Sequence, residues 1–370
     1  MTMIPHADIV GSLLRPAELI SARERFASGQ LTGAGFEQIE NRAVDQAIAI
    51  QQESGLDVIT DGEMRRLSFQ SQIPASLDGF GDYGIDAFLW GDWHGDQVIG
   101  DLQLVRPDSL GVVAKLRRRA YLATKEFVYL RQHSSKLPKV TIPSPSLFAN
   151  FWSQSISLPA YPRIEGFLAD VTSMLRDDVQ SLIANGANYI QLDAPHYPLI
   201  LDPKWASFYE SLGWRARNWV EFGVDLDNAL MEGFDQATFA IHLCRGNQGS
   251  RWLTEGGYER MLVPVLQRTN ADRLMLEYDD HRSGTFEVLK GIPQDKTVVL
   301  GLVTTKRSWN EPVEDLVSRV EMASRYFPID QLAVSPQCGF ATSIGGNYLS
   351  QDDQRKKLRS VVEIAKKVWG

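Results

Sequence analysis

The residues best suited to hold a soft metal ion follow short apolar runs. Both cysteines of the chain, Cys244 and Cys338, stand after such runs, and His242 lies two residues before Cys244. Alternate residues of a strand point to one face, so that imidazole and thiol would lie side by side. Glu277 ends a further run, and one nitrogen, one oxygen and two sulfur donors suit tetrahedral zinc. Two buried thiols without a metal explain the same cysteines, because free cysteine is commonly buried.

These four side chains need a scaffold that brings separate strand ends together. Short apolar runs that end in polar residues recur along the chain, as expected for strands buried on both faces of a parallel sheet. The runs are residues 8–12, 57–63, 139–146, 189–195, 237–246, 273–280, 297–306 and 331–339.

Amphipathic patterns between the runs predict helices, several of which end at a glycine. Alternating strands and helices predict an α/β fold, a (β/α)8 TIM barrel in one catalytic domain over residues 1–370. Barrel enzymes place catalytic residues at the C-terminal strand ends, where the four donors fall. A doubly wound open sheet is the alternative, although no G-x-G-x-x-G follows a strand. The predicted helices are residues 16–28, 36–55, 161–186, 215–233, 257–269, 285–291, 312–327 and 352–369.

A long insertion, about residues 64–138, separates the second and third predicted strands. Its Gly/Trp/Asp-rich part, residues 77–101, predicts a hairpin over one mouth of the barrel, and residues 109–130 predict a long helix. Insertions after a barrel strand lie on the catalytic face, so that Trp90, Trp93 and His94 are candidates to wall the site. A packed surface hairpin is the alternative.

The composition narrows the class of partner. The net charge is -8, from 46 acidic and 38 basic side chains, and such a surface repels nucleic acid and anionic membranes. No apolar run is long enough to span a bilayer. Residues 1–15 lack a signal-peptide pattern, and we therefore expect a cytoplasmic protein.

Six segments carry a resemblance to a known family: IVGSLLRP, GLDVITDGEMRR, YIQLDAPH, IHLCRGN, LMLEYDD and SPQCGF. With them the chain resembles the cobalamin-independent methionine synthase family, specifically its C-terminal catalytic zinc barrel in a short, single-barrel form. The order H-x-C, then Glu, then Cys is specific to the zinc site of that family. The resemblance implies Zn²⁺ as the cofactor, with His242, Cys244, Glu277 and Cys338 as its ligands.

The resemblance also implies a thiol substrate, homocysteine. Its ammonium group would be held by Glu63 and Asp193, and its carboxylate by the turn of Gly11 and Ser12. The chemistry agrees, because an ammonium needs fixed anions and a turn of N–H groups suits a carboxylate.

The two anchoring carboxylates also have structural explanations. Glu63 can form an ion pair with Arg65 or Arg66, and Asp193 can cap the N-terminus of a helix. These alternatives stay open in the sequence.

The methyl donor is where the sequence departs from the long members of the family. Those members carry an N-terminal barrel that helps to bind folate, and a histidine in the loop after strand seven. Here residues 303–307 read VTTKR. We therefore expect methylated folate to be a poor donor and a methylated corrinoid, or its carrier protein, to be better. Lys306 and Arg307 are the local cations that could favour folate.

The predicted activity is that of a zinc-dependent S-methyltransferase that forms methionine from homocysteine. Zinc coordination would convert the thiol to a thiolate nucleophile. His196, His281 and Tyr278 are the candidates to protonate or stabilise the displaced group. Alkyl transfer to or from another small thiol, including demethylation, is one alternative, and a non-catalytic zinc-binding barrel is another.

Overall fold

Parallel strands and helices alternate along most of the chain. The computed structural model describes residues 5–82, 84, 87 and 89–370. The strands are β1 (Val58–Ile59), β2 (Leu77–Phe80), β3 (Gly91–Trp93), β4 (Leu102–Leu104), β5 (Val112–Arg118), β6 (Leu137–Pro138), β7 (Val140–Pro143), β8 (Tyr189–Asp193), β9 (Thr238–Leu243), β10 (Arg273–Glu277), β11 (Thr297–Val303) and β12 (Leu332–Pro336).

The helices follow the predicted segments closely in the second half of the chain. They are α1 (Ala17–Ala27), α2 (Gly33–Glu53), α3 (Gln72–Ser76), α4 (Thr124–His133), α5 (Gln154–Ser157), α6 (Ile164–Ala184), α7 (His196–Leu199), α8 (Pro203–Ser211), α9 (Ala216–Met231), α10 (Glu259–Met261), α11 (Val313–Ser324) and α12 (Gln351–Trp369). No helix in the described part of the chain is long and apolar enough to cross a membrane.

The central sheet has six parallel strands in the order β12–β11–β10–β9–β8–β7. At one end β7 continues from β6, which pairs with β1 in parallel. At the other end Ala7 forms a parallel bridge with Val334 of β12. Residues 8–12 lie between these ends, and Thr60 Oγ1, next to β1, donates to Gly11 O at 2.6 Å. The (β/α)8 barrel is therefore confirmed, and the open sheet is wrong.

The first predicted strand, residues 8–12, lies in its place in the ring but forms no ladder of its own. Asp8 N donates to Val334 O at 2.8 Å, and Leu13 N donates to Gly62 O at 3.0 Å. Its neighbour β1 has only two paired residues, so that little regular backbone is available for a longer ladder.

A buried charged cluster fills the barrel interior near the start of the strands. Asp8 accepts from Lys139 Nζ at 3.0 Å, from Tyr189 Oη at 2.6 Å and from Arg273 Nη2 at 3.1 Å. Burial raises the pKa of Asp8, but the charges of Lys139 and Arg273 outweigh it and keep the pKa below its usual value. Asp8 thereby joins the first segment of the ring to β8 and β10 through side chains.

Two of the predicted helices have a different form. Residues 257–269 contain the short α10 followed by a π-helix, Leu262–Leu266, in which Pro264 lacks the N–H that a regular helix uses. Residues 285–291 contain a 3-10 helix, Phe286–Gly291, that begins after the side-chain cap of Thr285. Both segments are helical, as predicted, but neither is a full α-helix.

The insertion contains two small antiparallel sheets, and the long helix predicted over residues 109–130 is wrong. Its first half forms β5, which pairs with β2, and only its second half forms α4. The β-branched pair at the start of β5 favours a strand, and the partner strand is distant in sequence. The predicted hairpin, residues 77–101, provides β3, whose partner is β4, while Tyr83, Ile85, Asp86 and Phe88 lie outside the described residues.

The Asp8 cluster generates a prediction about stability. Asp8→Asn leaves the buried cations of Lys139 and Arg273 without their anion, and we expect the free energy of unfolding to fall by about 3–5 kcal/mol. Urea unfolding followed by circular dichroism measures the change. Asp57→Asn is the control, because Asp57 pairs with Lys136 at the surface and its loss should have no measurable effect. Equal stability of the two variants would contradict the role of the cluster.

Candidate active site

Three of the four predicted metal donors meet at the C-terminal end of the barrel. His242 lies on β9, Cys244 follows that strand directly, and Cys338 follows β12. Their donor atoms all lie within 4.8 Å of one another, and the two Sγ atoms are 3.3 Å apart. Both cysteines are free thiols. Strands that are far apart in the sequence therefore deliver one imidazole and two thiols to a single point.

The polar atoms of this cluster fit a metal ion. His242 is buried, and neither of its ring nitrogens has a hydrogen-bond partner among the described residues. A buried unsatisfied polar group costs about 1–3 kcal/mol, so that a ligand for the imidazole would remove a penalty. The hydrogen bond with Cys338, followed by burial, raises the pKa of Cys244 well above that of an ordinary thiol. Thiols in this situation release a proton when they bind a cation, and the N, S, S set suits zinc.

Glu277, the fourth predicted ligand, stands beside this cluster but is bound to protein groups. Its Oε1 accepts from Lys306 Nζ at 2.9 Å, and its Oε2 accepts from the backbone N–H of Arg245 at 2.9 Å. Burial raises the pKa of Glu277, and the charge of Lys306 overcomes this effect and keeps the pKa below its usual value. The carboxylate is thus ionised next to Cys244, and its role as a metal ligand stays a prediction.

A cavity of about 80 Å³ opens onto the three donors. It also reaches Ser12, Glu63 and Asp193, which are the predicted substrate-binding side chains. A water molecule needs about 10–15 Å³ of such space, so that the cavity has room for a small ligand. Its described lining is completed by Val10, Phe69, Gln70, Leu89, Trp90, Trp93, Leu147, Asn150, Pro195, Leu199, Trp205, Gly246, Asn247, Leu253, Gly339 and Thr342.

Glu63 has the strained backbone that is typical of a functional residue. Its φ is 56°, in the left-handed region, which costs about 1–3 kcal/mol for such a residue. Asp61 Oδ1 accepts the Glu63 N–H at 2.9 Å, and Arg15 Nη2 donates to the Glu63 carbonyl at 2.9 Å. Two side chains therefore hold the strained conformation and direct the carboxylate into the cavity.

The two carboxylate oxygens of Glu63 have different surroundings. Oε1 accepts from Thr141 Oγ1 at 2.9 Å and lies 3.3 Å from Arg66 Nη1, whereas Oε2 has no partner among the described residues. The structural ion pair with Arg66 is therefore present. However, Arg66 makes shorter bonds to Glu126, at 2.7 Å and 3.0 Å, so that Glu63 keeps one oxygen for a cationic ligand.

Asp193 ends β8 and faces the same cavity. Gln191 Nε2 donates to its Oδ1 at 2.7 Å. Burial raises the pKa of Asp193 to about 6, His242 opposes the shift, and Glu63 adds to it. Asp193 does not cap a helix, because α7 begins after Pro195 without a side-chain cap. Two neighbouring buried carboxylates of this kind favour a bound cation.

Ser12 is packed closely against the turn that follows Cys338. A Cβ atom at Gly339 would lie 2.0 Å from Ser12 Oγ, so that only glycine fits there. Ser12 O accepts from the backbone N–H of Phe340 at 2.8 Å. This contact holds the turn of Gly11 and Ser12 next to Cys338, and its role as a carboxylate site stays a prediction.

The three candidate proton donors do not meet at the cavity. His196 is buried behind it, where Nε2 lies 2.7 Å from Ser146 Oγ and burial lowers its pKa to about 3. Tyr278 is buried near Thr285 O, and burial raises its pKa strongly. His281 is exposed and begins the short 3-10 helix His281–Ser283, which Asp280 caps. None of the three is among the described residues that line the cavity.

The walls of the cavity contain residues that the sequence analysis missed. Trp90 and Trp93 line it, as proposed for the insertion, but His94 is exposed. Trp205 of α8 completes the aromatic wall and was not anticipated. The aromatic-rich segment WASFY, residues 205–209 after β8, could have indicated Trp205 in the sequence. Its contact with the insertion, however, is visible only in the tertiary structure.

Comparisons with known proteins point to one family. The family described as "Cobalamin-independent synthase, Catalytic domain" matches residues 162–367. Uncharacterized protein YxjH of Bacillus subtilis is 34% identical, over 98% of this chain and 94% of that protein. Methionine synthase of Saccharolobus solfataricus is 24% identical, over 97% of this chain and 93% of that protein. The crystal structure of the putative vitamin-B12 independent methionine synthase from Listeria monocytogenes matches with a TM-score of 0.72 and 26% identity, over 100% of both chains.

Proposed function

The chain belongs to the family of cobalamin-independent synthase catalytic domains, methyltransferases of the methionine synthase type, and we propose that it methylates homocysteine at a zinc site. The observation that carries this proposal is the cavity that reaches His242, Cys244 and Cys338 on one side and two carboxylates on the other. The same cavity thus offers a place for a thiol and for an ammonium group.

His242, Cys244 and Cys338 would hold zinc, with Glu277 as the predicted fourth ligand. Zinc bound there supplies the acidity that turns a substrate thiol into a thiolate at neutral pH. Glu63 and Asp193 would hold the ammonium group by charge-assisted hydrogen bonds, which orients the substrate sulfur towards the metal donors.

The alternatives from the sequence are less well supported. A non-catalytic zinc site would be closed and fully coordinated by protein, whereas a cavity reaches all three donors here. Transfer to another small thiol remains the nearest alternative, and the two carboxylates favour a thiol that carries a cation. No feature of the described cavity lining favours the corrinoid donor.

The first prediction from this site concerns the metal. The purified protein should carry about one zinc ion per chain, and Cys338→Ser should lose most of it, because a tetrahedral site loses a thiolate ligand. Elemental analysis gives the stoichiometry, and a competition titration with a chelator gives the affinity. Glu277→Gln should also weaken zinc binding if the carboxylate is a ligand. Full zinc occupancy in a Cys244→Ser, Cys338→Ser double variant would disprove the site.

The second prediction concerns the ammonium anchor. Asp193→Asn should weaken homocysteine binding by about ten- to a hundredfold, since a charge-assisted hydrogen bond is worth roughly 1.5–3 kcal/mol. Calorimetric titration of the zinc-loaded protein measures the affinity. The zinc content should not change.

The matched control for that experiment is a ligand. 4-Mercaptobutyrate is homocysteine without its amino group, and its affinity should be the same for the wild-type protein and for Asp193→Asn. An equal loss of affinity for both thiols would show that Asp193 does not contact an ammonium group.

A further inference from the structure

Three tryptophans line the cavity together with the metal donors. Trp90 and Trp205 stack on each other with ring centroids 3.8 Å apart, and Trp93 is the third. All three side chains are buried. A Cβ atom at Gly91 would lie 2.7 Å from Leu253 Cδ2 and 3.3 Å from Trp205 Cζ2, so that this glycine lets the insertion pack directly on α8. We call these three tryptophans the aromatic wall.

The described lining of the cavity contains two carboxylates and no lysine or arginine. The ionisable side chains among its described lining residues are Glu63, Asp193, His242 and the two cysteines, and none is a lysine or arginine. Two buried cations beside the cavity have carboxylate partners, Arg66 with Glu126 and Lys306 with Glu277. Aromatic faces attract cations through their quadrupole, and an acidic cavity concentrates them.

The three candidate proton donors, His196, Tyr278 and His281, lie outside the described lining of the cavity. The proposed function already uses both carboxylates for the ammonium group and both thiols for the metal. A methylated amine needs a proton to leave as a neutral amine, whereas a sulfonium leaves as a neutral thioether without one.

From the aromatic wall and the two carboxylates, and because the three candidate proton donors lie outside the described lining, we infer that the methyl donor is a sulfonium cation bound against Trp90 and Trp205. The inference rests on the proposed function, because it names the second substrate of the same site. It goes beyond that function by assigning a chemical class to the donor and a binding role to the insertion and α8.

The transfer is balanced without a further reactant. The substrate thiol loses its proton to solvent on becoming a thiolate. The thiolate sulfur then forms a bond to the methyl carbon as the bond from that carbon to the sulfonium sulfur breaks. The electron pair of the broken bond stays on the departing sulfur, which becomes a neutral thioether. The products are the methylated thiol and that thioether.

Binding of a small sulfonium provides the direct test. Trimethylsulfonium should bind the zinc-loaded wild-type protein more tightly than dimethyl sulfide, its uncharged counterpart, as measured by calorimetric titration. Trp205→Leu should weaken trimethylsulfonium binding by about 30-fold, the equivalent of about 2 kcal/mol for a desolvated cation–π contact. Trp205→Phe keeps an aromatic face and should lose less. Trp309→Leu, which removes an exposed tryptophan outside the cavity lining, is the control and should bind as the wild type does.

Zinc content shows whether each variant is folded at its site, and it should be unchanged in Trp205→Phe and Trp205→Leu. Equal binding of trimethylsulfonium and dimethyl sulfide, or wild-type affinity in Trp205→Leu, would overturn the inference.

Turnover separates this inference from the proposed function. With homocysteine as acceptor and donors at equal concentration, S-methylmethionine should react faster than methylated folate or methylcobalamin. If homocysteine is methylated by one of the other two donors and not by S-methylmethionine, the inference is wrong and the proposed function stands. If homocysteine neither binds nor accepts a methyl group from any donor, the proposed function fails, and the inference that depends on it fails too.

Discussion

The in-register parallel ladder of the barrel is the constraint on which the site depends. Its hydrogen bonds pair Asp193 of β8 with His242 of β9, so that a carboxylate and an imidazole end their strands at one level. The same ladder carries Glu277 at the end of β10, and the turn after β12 brings Cys338 to within 3.3 Å of Cys244. The C-terminal strand ends all lie at one mouth of the barrel, so that they bring together side chains from distant parts of the sequence. Because these side chains stand on or next to strands, their donor atoms are held in place before a ligand binds.

Buried charge is balanced differently at the two ends of the barrel. Near the strand starts, Asp8 is surrounded by Lys139, Arg273 and Tyr189, and each group has a partner. At the cavity, His242 and one oxygen of Glu63 lack partners among the described residues. Unsatisfied buried groups and a strained Glu63 backbone both reduce stability, and their coincidence at the cavity is consistent with a site that binds a ligand.

The insertion and α8 together supply the tryptophans that we propose to bind the methyl donor. Trp90 and Trp93 come from the insertion, and Trp205 comes from the segment after β8, yet they form one wall of the cavity. The same cavity is lined by the two thiols and these tryptophans, so that the reacting sulfur and the methyl donor would share one enclosed space. Exclusion of water from such a space favours transfer to the thiolate over side reactions.

The sequence by itself determined the order of strands and helices and the chemistry of the strand ends, because buried parallel strands leave a local apolar pattern and H-x-C fixes one face of a strand. It did not determine the form of residues 109–130, whose first half pairs with the distant β2. It also could not decide which ionisable groups are free. Only the tertiary structure places Lys306 on Glu277, buries His196 behind the cavity and folds Trp205 over the insertion. These outcomes depend on contacts between residues far apart in the chain, and no local pattern in the sequence records them.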